Sequence, residues 1–67
     1  MNVYEILDRT TDPAVVAEIR RMDKSGEAAW KFSALDLSAG LYSTDGRLLA
    51  AVTAGEDEDV ELADELL

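Results

Sequence analysis

The chain has no cysteine and no histidine, a single proline, one tryptophan and one phenylalanine, and only six basic residues against fifteen acidic ones. Each scarcity removes options. Without Cys there is no disulfide to staple the fold, and without Cys or His there is no structural zinc. A nucleophile would need Asp, Glu or Lys as its activator, and no Ser stands in a G-x-S-x-G or S-x-x-K setting. Gly26, Gly40, Gly46 and Gly55 are spread singly, so no loop is built to cradle phosphate. No window approaches the roughly 18 apolar residues of a membrane span, and residues 1–5 lack the positive and apolar regions of a signal peptide. The expectation is a non-enzymatic, cofactor-free protein of the cytoplasm. Its formal charge of −9 argues against direct contact with nucleic acid or with anionic membranes, and for a partner with a basic surface.

Sixty-seven residues make one domain, spanning 1–67, with no internal repeat and no linker. A chain this short buries only about 60% of the surface its unfolded form exposes. Tight packing or a homodimer must supply what a staple does not.

What is present organises around residues 28–54, which hold Trp30, Phe32 and Tyr42. Asp45-Gly46 between Leu41-Tyr42 and Leu48-Leu49 is a hairpin signal, because both turn residues tolerate positive φ. From Glu27 the apolar period is two, with Trp30, Phe32 and Ala34 on one side. The alternation then slips, since Leu35 and Leu37 fall on the other side. Either a bulge intervenes or both faces of this strand are covered. A turn at Ser38-Ala39-Gly40 leads into the hairpin, giving a three-stranded antiparallel meander with Trp30 and Phe32 in the core.

Ahead of the sheet, Asn2 and Glu5 fit a capping box that starts a short helix through about Arg9, although an edge strand also suits these residues. Asp12-Pro13 starts a second helix, with Asp12 as its cap and Pro13 at its first position. Val15, Val16, Ile19 and Met22 share one face of it, and Arg20, Arg21 and Lys24 another. Gly26 ends it.

The charge is unevenly spread: residues 1–24 carry −1, 25–55 carry −1 and 56–67 carry −7. On a helical wheel Val60, Leu62, Ala63, Leu66 and Leu67 separate from Asp57, Glu58, Glu61, Asp64 and Glu65, which predicts a short acidic C-terminal helix. The whole is then α+β: N-terminal helices, the meander and the acidic helix. Like charges at i, i+4 oppose that helix by about 0.2–0.5 kcal/mol each, so packing must hold it.

Three uses of this segment follow. A rigid row formed by Asp57, Glu58, Glu61, Asp64 and Glu65 would spread its charges along a basic groove built for nucleic acid. In size, charge and lack of catalytic groups the chain is similar to small phage-encoded DNA-mimic inhibitors, including some anti-CRISPR and anti-restriction proteins, a likeness that implies a nucleic-acid-handling partner. Alternatively an antitoxin-like or regulatory protein would dock through Leu62, Leu66 and Leu67. The acidity also suits a salt-adapted housekeeping domain with no charge-specific partner. A metal site is not expected, because Glu56-Asp57-Glu58-Asp59 lacks the alternating spacing of a calcium loop. Should the basic patch of Arg20, Arg21 and Lys24 meet the carboxylates of residues 56–65, within one chain or across a dimer, the mimicry reading weakens.

Overall fold

Asn2 opens the first helix by accepting from the backbone N–H groups of Tyr4 and Glu5 at 3.2 and 3.3 Å, without the return bond from Glu5 that a full capping box makes. In the computed structural model, which describes residues 1–67, this helix is α1, Val3–Thr10. Pro13 then starts α2, Pro13–Ser25, with Asp12 accepting from the N–H of Ala14 at 2.8 Å. Gly26 closes it at φ +83°, the left-handed conformation that glycine adopts without steric penalty.

Four strands follow: β1 Ala28–Ser33, β2 Ser38–Ser43, β3 Leu48–Thr53 and β4 Asp59–Leu62. They pair antiparallel in chain order, so the architecture is α+β with two helices and a four-stranded sheet. Two expectations are corrected. The acidic C-terminal helix does not form; β4 adds a fourth strand, and only a single 3-10 turn, Asp64–Leu66, is helical. β3 offers an edge that pairs with this segment, and pairing aims Val60 and Leu62 at the core while avoiding the i, i+4 repulsions of a helix. The turn after β1 lies at residues 34–37, and Ser38, Ala39 and Gly40 belong to β2. That turn, with Leu37 at φ +50°, is where the alternation slips, and no second covering layer is needed.

The bulge lies elsewhere, in the second hairpin. Leu41 pairs with Ala50 but Tyr42 pairs with Leu48, so Leu49 is the extra residue and both Leu49 and Ala50 turn inward. Eleven buried residues then form one cluster. Val3, Ile6 and Leu7 of α1 and Val16 and Ile19 of α2 pack on one face of the sheet, against Leu41, Leu49, Val52 and their small neighbours. On the other face, where Lys31, Gly40, Ala51 and Glu61 form one row across the four strands, no residue is buried.

The expected core aromatics are only partly core. Trp30 is half-buried, packing edge-to-face on Tyr4 with ring centroids 6.1 Å apart. Phe32, near the end of the edge strand β1, is 62% exposed.

Candidate functional site

With β4 a strand, the five carboxylates expected in a row point in different directions. Glu58 accepts from Arg9 Nη2 at 2.6 and 2.7 Å, tying the loop before β4 to the end of α1. Glu65 accepts from Arg47 Nη1 at 2.8 and 3.0 Å, tying the 3-10 turn to the hairpin between β2 and β3. Two members of the expected row are therefore neutralised within the chain. Asp57 lies in the loop before β4, Glu61 on the open sheet face opposite Ala51, and Asp64 at the start of the 3-10 turn. These three are exposed and have no ion-pair partner, but they do not form the helical row.

Glu56 and Asp59 join them as acids without a basic partner, Asp59 sharing the open face with Glu61. Asp59-Val60-Glu61-Leu62 alternates polar and apolar, and that period of two was the signal for this arrangement. Residues on one face of a strand are about 6.6 Å apart, so Asp59 and Glu61 present adjacent, parallel charges at the sheet edge.

The apolar alternative fares differently residue by residue. Leu62 and Leu66 pack against the core cluster, which occupies the surface they would offer a partner. Leu67 is 82% exposed.

All four arginines are engaged with carboxylates: Arg9 and Arg47 as above, Arg20 with Asp8 at 2.9 Å, and Arg21 with both Glu18 and Glu27 at 2.5 Å. The cluster of Arg20, Arg21 and Lys24 does not meet the terminal acids. Hydrogen bonds from Arg21 hold the Glu18 and Glu27 carboxyls below the usual range, and the Ser43 hydroxyl, followed by Arg47, does the same for Asp45. Lys31 and Lys24 have no carboxylate within ion-pair distance, and Lys31 Nζ lies instead 5.0 Å over the Tyr42 ring.

No polar or charged side chain is buried, and no group of three acids is arranged to hold a metal ion. A concavity between α2 and the second hairpin is lined by Glu18, Arg21, Glu27, Arg47 and Glu65, charges that already satisfy one another. No helix is long and apolar enough to cross a membrane. The chain matches no protein-family model, no curated protein and no solved structure, so its chemistry is read from these residues alone.

Proposed function

We propose that the protein is a non-enzymatic acidic inhibitor that binds the basic surface of a nucleic-acid-handling partner and competes with nucleic acid for it, in the manner of DNA-mimic anti-CRISPR or anti-restriction proteins. The observation that supports this reading is a concentration of unpaired charge: of the nine carboxylates without an ion-pair partner (fifteen acids less the six that are paired), five lie within residues 56–64, the others being Glu5, Asp12, Asp23 and Asp36. Glu56, Asp57, Asp59, Glu61 and Asp64 lie in or beside one edge strand without an ion-pair partner; Arg9 and Arg47 reach this segment but are taken up by Glu58 and Glu65, and Arg20 and Arg21 pair elsewhere. The recognition surface is then β4 and its flanks. Glu58 and Glu65 contribute to the fold through Arg9 and Arg47 more than to binding. The antitoxin-like reading has less support, since Leu62 and Leu66 are engaged by the protein's own core.

Capture from lysate at two ionic strengths tests the reading. Attraction between exposed charges is screened within about 10 Å at 0.1 M salt, so nucleic-acid-binding proteins are retained at low salt and released as salt rises. Asp59→Asn with Glu61→Gln should lower their retention mainly through slower association, with the melting midpoint unchanged. Partners whose retention ignores both salt and these substitutions would sink the proposal.

A further inference from the structure

We propose that the free edge of β1 pairs antiparallel with β1 of a second copy, closing a symmetric dimer in which Trp30 of each chain lies against Phe32 of the other. The argument starts from where the backbone groups of β1 point. In β2, Ser43 N–H donates to Arg47 C=O at 2.9 Å, and Leu37 C=O, just before β2, accepts from Ala54 N–H at 2.8 Å. Odd-numbered residues of β2 thus face β3. Ser38, Gly40 and Tyr42 face β1, where their partners are Ser33, Lys31 and Ala29. The N–H and C=O groups of Trp30 and Phe32 are left pointing outward from the sheet. Four of the six residues of β1 are exposed, Phe32 to 62%.

An unpaired edge of this kind is a template for another strand, and the choices can be narrowed. Pairing through β4 brings Asp59 and Glu61 of two copies together, which like-charge repulsion opposes. Pairing through β1 keeps each acidic edge three strand spacings, about 14 Å, from the joint. That exceeds the screening length of about 10 Å at 0.1 M salt.

The register is also constrained. A two-fold axis perpendicular to the sheet sets residues of equal parity opposite each other. Pairing Trp30 with itself sets Phe32 against Ala28, which is only 3% exposed and already covered by its own chain. Pairing Phe32 with itself engages only residues 31–33 of the strand. The remaining register sets Trp30 opposite Phe32 twice and Ala29 opposite Ser33 twice, with Lys31 on the axis. It uses every outward backbone group between residues 29 and 33 and buries the exposed Phe32 ring against a half-buried indole, a favourable cross-strand pair. Lys31 is no obstacle, because its ammonium leans back over Tyr42 of its own chain.

Sedimentation of the unaltered protein should show a species of twice the 7.3 kDa chain mass that dissociates on dilution. Because the chain has no cysteine, introduced thiols report the register directly. Lys31 sits in a non-hydrogen-bonded pair on the axis, where Cα atoms are about 4.5 Å apart and within disulfide reach. Lys31→Cys should therefore oxidise to a covalent dimer, Ala29→Cys should stay monomeric in non-reducing gels, and mixing Ala29→Cys with Ser33→Cys should yield the mixed dimer. Phe32→Glu, at a position exposed in the single chain, should keep the wild-type melting profile at concentrations where both are monomeric while raising the dissociation constant by about 100-fold. A 7.3 kDa species at every concentration up to the millimolar range, open-ended polymers, or Ala29→Cys cross-linking as readily as Lys31→Cys would overturn the proposal.

Discussion

Tyr4 connects three elements through one side chain. Its hydroxyl accepts from Trp30 Nε1 at 3.1 Å and donates to Asp23 Oδ2 at 2.9 Å, while Arg20 lies 4.3 Å over its ring and pairs with Asp8. α1, α2 and β1 are thereby joined by a partly buried polar knot, where a hydrogen bond contributes about 1 kcal/mol net. Tyr4→Phe removes both bonds while keeping the ring, so it should cost about 1–2 kcal/mol in denaturant unfolding. A double-mutant cycle with Trp30→Phe should show coupling above about 0.5 kcal/mol, because each substitution breaks the same bond. Additive effects would mean that the Tyr4–Trp30 bond contributes nothing. Gly26→Ala tests a purely conformational term. A methyl group there meets nothing within 4 Å, so the cost is that of a left-handed L-residue at φ +83°, about 1–2 kcal/mol, read as a lower melting midpoint.

At the scale of elements, the outcome separates segments by how many local signals agree. The second helix carries Asp12, Pro13 and Gly26 as start and stop residues, and the Asp45-Gly46 turn dictates its hairpin; both were legible because the local chemistry admits one conformation. Residues 59–62 were not. Four residues fit either period, and the acids that segregate on a helical wheel also alternate along a strand. What decided was non-local: β3 offers Ala51 and Thr53 as backbone partners to Glu61 and Asp59. The candidate site was therefore legible as a charge imbalance but not as a geometry, since the partnership of Glu58 with Arg9 spans 49 positions. Hydrogen exchange distinguishes the two forms of this segment. In β4, Glu61 faces β3 and Ala63 N–H donates to Leu49 C=O at 2.9 Å, whereas Val60 and Leu62 point their N–H groups away from the sheet. Protection should alternate, slow at Glu61 and Ala63 and fast at Val60 and Leu62. A continuous run of slow amides from residue 61 to 65 would restore the helix and the carboxylate row.

For the whole molecule, the same charge distribution sets how stability responds to acid. A net charge of −9 on a small chain destabilises the compact state through self-repulsion, and lowering the pH toward the isoelectric point near 4.1 relieves it. A second term acts in the opposite direction. Glu18 and Glu27, each bonded by Arg21, together with Asp36, bonded by Ser33 and Ser38, and Asp45, bonded by Ser43, have carboxyl pKa values lowered in the folded state. For such groups the unfolded chain binds protons first as the pH falls. Their contribution is fully present above the unfolded value near 4 and is lost as the pH drops through the lower folded values. Thermal midpoints should thus stay level or rise from pH 7 to about 5, then fall below about 4. Arg21→Gln removes the largest cause for both Glu18 and Glu27, so it should make that acid limb shallower while leaving the change between pH 7 and 5 intact. A variant whose acid limb is as steep as the wild type would show that these exposed pairs exchange with solvent too freely to couple to folding. The decline would then rest on Asp36 and Asp45, which lie in the turns that close the two hairpins of β2 and are held by hydroxyls at the strand ends, and Ser43→Ala would be the substitution that flattens the Asp45 part of it.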